Sequence, residues 1–157
     1  MKLGRRVMLP VALLATAAAI LMYFGLGSRR AAEHPALPEY TAPRFELLPG
    51  RDVPFELAAI PSRPVTIKVV AFAFAMGGAA DAEPNPVDAK VEIAPDGAVR
   101  LRGRGRALEG AREVRVVIGA AADFKRYEDA LATAREGSSS AQVRVLVVPV
   151  VRVAAAR

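Results

Sequence analysis

The order of apolar and polar positions divides this chain into three unequal parts. Val7 to Gly27 is an unbroken run of 21 residues without a charge. As a helix rising ~1.5 Å per residue it would reach about 31 Å, enough to cross the hydrocarbon core of a bilayer. Ser28 to Pro43 has little apolar periodicity and contains Pro35, Pro38 and Pro43. Proline fixes φ and withholds a backbone donor, so residues 28–43 predict an extended tether. From residue 44 to residue 157 the dominant period becomes two, which predicts one β-domain.

Within that domain, Phe45-Glu46-Leu47-Leu48 and Phe55-Glu56-Leu57 are short strand candidates separated by the turn residues Pro49-Gly50-Arg51-Asp52. Pro64 to Met76 is a β-branched and aromatic run ending at Gly77-Gly78. Apolar at nearly every position, it predicts a central strand covered on both faces. Val87 to Ile93 alternates apolar and charged residues, turns at Ala94-Pro95-Asp96-Gly97, and alternates again from Val99 to Arg102. That pattern predicts a hairpin with Val87, Val91, Ile93, Val99 and Leu101 facing inward. Val114 to Ile118 is a further strand, and Val143 to Val153 the last, with Pro149 marking an edge or a bulge. One helix interrupts the series. Residues 123–135 set Phe124, Tyr127, Leu131 and Ala134 on one stripe, with Asp123 at the start, Arg135 in the last turn and Gly137 beyond the end. Six or seven strands with one short inserted helix predict a mainly β fold, a β-sandwich, preceded by a single N-terminal transmembrane helix.

The flanks of the apolar run set its orientation. Lys2, Arg5 and Arg6 precede it, and Arg29 and Arg30 follow it. With the α-amine added, the stronger basic flank lies in front. This predicts residues 1–6 in the cytoplasm, one pass through the inner membrane and the C-terminal domain in the periplasm. A retained signal anchor is the first reading, because the run is a full span long. A cleaved signal peptide is the second, with Gly25-Leu26-Gly27 offering small residues ahead of Ser28. A buried core helix is the third, though 157 residues offer little to bury it. Arg5-Arg6-Val7-Met8-Leu9 loosely matches a twin-arginine export signal, and serves equally as ordinary positive-inside charge.

A net charge of +6 and a pI near 10.3 would suggest nucleic-acid binding if the charge were spread evenly. Of the 22 basic side chains, five (Lys2, Arg5, Arg6, Arg29, Arg30) lie in residues 1–30, where there is no acid; the other 17 share residues 31–157 with all 16 acids. The domain is therefore close to neutral, and no nucleic-acid partner is expected. Its preference for arginine over lysine reads as codon composition. With no cysteine, the chain cannot form disulfides or thiolate metal sites or carry a lipid on cysteine. The one histidine, His34, falls in the tether, where a single imidazole makes neither a metal site nor a triad.

Residues 45–153 resemble an exported β-domain of membrane proteins from myxobacteria and similar high-GC bacteria. The resemblance is carried by PGRDVPFEL (49–57), VDAKVEIAPDGAVRLRG (87–103) and EVRVVIG (113–119), followed by the helix and the closing strand through Val151. In that family the domain follows one transmembrane helix in anti-sigma-factor-like or related regulatory architectures. Two departures stand out. The relatives carry tryptophan near these strands and this chain has none. Regulatory versions have a cytoplasmic module where six residues are expected here, which argues against direct sigma-factor control.

The sharpest candidate chemistry is Arg100-Leu101-Arg102-Gly103-Arg104-Gly105-Arg106. Alternating arginine and glycine suits phosphates or anionic polymers, but Arg100 and Arg102 fall on outward strand positions and read first as a solvated face. Asp81, Glu83, Asn85 and Asp88 supply oxygen ligands in one loop, without the glycine and closing glutamate of an EF-hand, and read as polar surface. No nucleophile has a positioned base, so no catalysis and no cofactor are expected. The expected function is a membrane-anchored protein-interaction or scaffolding module meeting an envelope protein. The long runs 64–76 and 143–153 would offer an open edge for strand addition. The alternative is a sensor binding a small ligand or anionic envelope polymer near the helix or Arg100, Arg102, Arg104 and Arg106.

Overall fold

The β-branched and aromatic runs become two four-stranded sheets, every neighbouring pair antiparallel. The computed structural model describes residues 35–79, 81–124 and 126–154. The apolar run 7–27, the first part of the tether and His34 lie outside the described residues. Among the described residues no helix is long and apolar enough to cross a membrane. In chain order the strands are β1 (Tyr40–Thr41), β2 (Glu46–Leu47), β3 (Pro54–Pro61), β4 (Val69–Met76), β5 (Asn85–Pro86), β6 (Ala89–Ile93), β7 (Val99–Arg104), β8 (Glu113–Ala120), β9 (Val143–Pro149) and β10 (Val151–Arg152). One α-helix, α1 (Tyr127–Glu136), enters between β8 and β9.

The first sheet has the order β1-β3-β7-β6 and the second β5-β4-β8-β9, while β2 and β10 form a short parallel pair. Period-two alternation sends Leu57, Ala59, Val99 and Leu101 of the first sheet and Val69, Ala73, Val114, Val116 and Ile118 of the second into one core. The fold is mainly β, and two antiparallel sheets around one core are consistent with a β-sandwich. On the far face of the second sheet, Phe72, Phe74, Val117 and Val145 pack beneath Ala130, Leu131 and Ala134 of α1. This is why the middle of the run from 69 to 76 is apolar on both faces: odd positions meet the core, and Phe72 and Phe74 meet the helix.

Several boundaries move for physical reasons. The strand expected from Pro64 starts at Val69. The Val65 N–H donates to the Asp96 carbonyl (2.9 Å), so the preceding stretch serves the β6–β7 turn instead. That turn needs its glycine: Gly97 has φ +88°, and a Cβ there would lie 2.5 Å from Val65 Cγ2. The helix expected from Asp123 starts at Tyr127, with Arg126 at the N-cap and no side-chain cap bond. The N–H groups of Asp123 and Phe124 both reach the Ala120 carbonyl, turning the chain off β8 first; Glu128 and Asp129 supply the acidic first turn. Gly137 closes the helix in the left-handed region, its N–H on the Thr133 carbonyl.

The last strand is divided at Pro149. Val150 N–H bonds the Arg112 carbonyl and Val151 N–H the Phe45 carbonyl, so the chain leaves the second sheet and joins β2. The proline-rich stretch is part of the folded unit from Pro35 onward. Leu37 and Tyr40 are buried there, and the Leu37 N–H bonds the Ala141 carbonyl (2.8 Å). Proline there limits strand length without preventing burial. The predicted hairpin forms with Val91 opposite Leu101 and Ile93 opposite Val99. Its inner face needs a correction. Val99 and Leu101 are 0% and 1% exposed, whereas Val91 and Ile93 on the same face are 37% and 40% exposed. They lie on the outermost strand, and nearby β4 presents only Val69 and small alanines toward the core.

Candidate interaction edge

Alternation along β7 turns Arg100, Arg102 and Arg104 outward. Arg102 stands opposite Glu56 of β3, and Arg100 opposite Glu92 of β6. The Arg102 Nε donates to Glu56 at 2.9 Å, and its Nη1 lies 3.5 Å from Glu92. Lys90 Nζ reaches the other Glu92 oxygen at 2.8 Å, Arg104 donates to the Asp52 carbonyl at 2.7 Å, and Arg106 lies 3.9 Å from the Asp52 carboxylate. The hydrogen bond from Lys90, then the charges of Lys90 and Arg102, hold the Glu92 carboxyl below the usual range; Glu56 and Glu92 raise Arg102. Lys90, Arg102, Arg104 and Arg106 border an open depression of about 390 Å³, joined by Asp88. Arg100 sits one outward position further along β7. The structure thus gathers three of the four arginines but interleaves them with Glu56, Glu92, Asp52 and Asp88, so an anion would have to displace existing partners.

The acidic loop does not converge on one point. Glu83 pairs with Arg135 of α1 (2.5 Å), and Asn85 lies in β5 with its amide on the Glu83 carbonyl. Among the described residues no group of three or more His, Cys, Asp or Glu side chains is placed to hold a metal.

The sheet edges are more informative. In an antiparallel ladder alternate residues bond the neighbouring strand, and the others point their N–H and C=O away. On β9 the outward set is Val143, Val145, Val147 and Pro149. The Val143 carbonyl is taken by Ser140 N–H and the Val145 N–H by Ser139 Oγ, while Pro149 has no donor. Arg144 on the inner side reaches the Leu37 and Pro38 carbonyls and Glu39. A serine loop, an inward-pointing arginine and a proline therefore blunt the two ends of the edge expected to lie open from 143 to 153, leaving only Val147, 44% exposed, between them. On β4 the outward set is Val69, Ala71, Ala73 and Ala75, of which Ala73 accepts from Val87 N–H and Ala75 pairs with Asn85 of β5. Only the first half of that edge lacks a strand neighbour.

β6 is different. The bond from Ala94 N–H to the Ala98 carbonyl fixes the parity of the hairpin, so Lys90 and Glu92 bond β7, and Ala89, Val91 and Ile93 point their backbone groups away from it. Apart from the Ala89 N–H, held by the Val87 carbonyl, this row has no backbone partner among the described residues. Unpaired backbone and exposed Val91 and Ile93 side chains therefore coincide on one strand.

Three arginines, Arg115 and Arg144 half-buried and Arg152 exposed, escape a motif search. Arg115 on β8 donates to the Ala134 and Arg135 carbonyls at the C-terminal end of α1 and pairs with Glu113 (2.7 Å). Arg144 holds the Leu37–Pro38 segment, and Arg152 bonds the Leu108 and Ala111 carbonyls. The guanidinium fork suits such paired acceptors. The only signal in the sequence is a lone arginine within an otherwise apolar strand. No protein-family model matches the chain, and no curated protein sequence is significantly similar to it.

Proposed function

We propose that this chain is a membrane-tethered binding module of the bacterial envelope. Residues 7–27 anchor it in the inner membrane, residues 1–6 remain in the cytoplasm, and a β-sandwich from residue 35 onward meets a protein partner in the periplasm. The observation that carries this reading is the β6 edge, where the outward backbone of Val91 and Ile93 accompanies their exposed side chains. A strand laid there would satisfy the backbone and cover the apolar pair together. Binding rather than catalysis also agrees with a chain that has no cysteine and one histidine, His34, ahead of the folded unit.

A second reading, a sensor for an anionic polymer, draws on the depression beside Arg102, Arg104 and Arg106. It is weaker because carboxylates already occupy those cations. A photoreactive amino acid at Val91 of the full chain in native membranes should give a discrete protein adduct, while the same label at exposed Ile60 should not. No adduct at Val91, or equal yield at both, overturns the edge. Retention on an anionic resin that is lost when Arg102, Arg104 and Arg106 become glutamine, with no adduct at Val91, moves the assignment to the second reading. Alkaline phosphatase fused after Arg157 should be active; an inactive fusion overturns the location.

A further inference from the structure

Taking β6 as the binding edge, and so resting on the reading above, we infer that its occupant is β6 of a second copy of this chain, antiparallel and centred on Val91. The strand AKVEI is self-complementary in one register. Its outward backbone belongs to Ala89, Val91 and Ile93, with the Ala89 N–H already on the Val87 carbonyl and the rest open, so an antiparallel partner strand must set its own odd-numbered residues opposite these to form hydrogen-bonded rungs. Three close registers meet that condition and differ in what the alternate positions bring together. With Ala89 opposite the second copy's Val91, Lys90 faces Lys90. With Val91 opposite the second copy's Ile93, Glu92 faces Glu92. With Val91 opposite Val91, each Lys90 faces the other copy's Glu92, and Ile93 faces Ala89.

Like charges directly opposed across strands are unfavourable and opposite charges favourable, so the charges select the third register. The apolar side chains agree. Val91 and Ile93, left exposed on the inner side of β6, would be covered by the other copy's Val91, Ile93 and Ala89. The pairing also has natural ends, because in this register Pro95, which has no N–H, meets Val87. The contact is isologous and closes on itself, joining the two β1-β3-β7-β6 sheets into one without leaving β6 free to grow a fibre. Shared anchorage raises the effective concentration for an interface this small.

The absence of native cysteine makes the test clean. The full chain carrying Val91→Cys, reconstituted in lipid vesicles and mildly oxidised, should form a disulfide-linked dimer. Hydrogen-bonded pairs place Cα atoms about 5.5 Å apart, within disulfide reach. Ile93→Cys alone should not cross-link, whereas Ile93→Cys mixed with Ala89→Cys should. Adding Lys90→Glu to Val91→Cys should lower the dimer yield several-fold, and so should Glu92→Lys. Reconstituting those two double variants together should restore it, since an all-acidic edge then meets an all-basic one. That rescue also shows that each variant is folded. No dimer with Val91→Cys, equal cross-linking by Ile93→Cys alone, or no rescue on mixing overturns self-pairing. A photo-adduct at Val91 whose mass is not that of two chains overturns self-pairing and leaves the interaction module standing; neither adduct nor dimer overturns both.

Discussion

Gly119 is a position where a single added methyl group should be costly for steric reasons alone. It lies in β8 on the face beneath α1, opposite Val70 of β4 and Val143 of β9. Its φ is not in the left-handed region, so alanine is conformationally acceptable and the perturbation is purely steric. A Cβ there would overlap the edge of the Phe124 ring. Phe124 cannot retreat freely, because its ring packs 6.0 Å from that of Phe72 and the chain turns from Ala120 into α1 at this point. Overpacking costs ~1–3 kcal/mol, and disturbing the aromatic pair adds ~0.5–1.5 kcal/mol. Removing glycine from a strand interior returns ~0.5–1 kcal/mol. The balance for Gly119→Ala is a loss of about 2 kcal/mol. Urea unfolding of residues 35–157, followed by far-UV circular dichroism because the chain has no tryptophan, would measure it. In a Phe124→Ala background the clash is gone, so the same glycine change should be neutral or stabilising by up to ~1 kcal/mol. Equal costs in the two backgrounds, or no cost with Phe124 present, would refute the reasoning.

Burial first, and the Asp96 charge second, raise the Tyr40 phenol above its ordinary value. The folded state holds that proton more tightly than the unfolded chain. Its contribution is therefore full below the unfolded pKa and is lost as pH rises through the folded one. Tyr40→Phe should flatten the alkaline fall in melting temperature and, through the bond to the Gly97 carbonyl (3.1 Å), cost about 1 kcal/mol at neutral pH; an unchanged alkaline slope would count against it. Val99→Asp should cost several kcal/mol by burying a carboxylate, while Ile93→Asp, on the same face but half-exposed, should cost about 1 kcal/mol. Equal chemical-denaturation midpoints would mean that β6 is covered after all. Arg144→Gln should loosen residues 35–39, seen as faster amide exchange at Leu37 with β8 unchanged; unaltered protection would show that the guanidinium does not hold that segment.

Local chemistry was enough for the elements that depend on neighbours in the chain. Alternation from Val87 to Arg102 around Pro95-Asp96-Gly97 made the β6–β7 hairpin legible, because its register is set by a turn within the same segment. Gly137 marked the helix end, and outward placement of Arg100 and Arg102 followed from period two. Candidate edges were harder to read. Whether an edge is open depends on a serine side chain six residues earlier for Val145, on Val87 for Ala73, and on Asn85 for Ala75.

Sequence periodicity determined that the domain after the tether would be mainly β with one inserted helix, because side-chain alternation is a local property of the extended backbone. Only the tertiary structure decided which apolar residues were covered. Val91 and Leu101 share a face and an alternation pattern, yet Leu101 is buried because β7 has neighbours on both sides and Val91 is exposed because β6 has one. The arginines divide in the same way. Arg102 found carboxylates on adjacent strands, whereas Arg115 and Arg144 found carbonyl groups of segments distant in sequence. The partner of a long, forked cation is set by which chain ends the fold brings within its reach, and that is a property of the packed sheets alone.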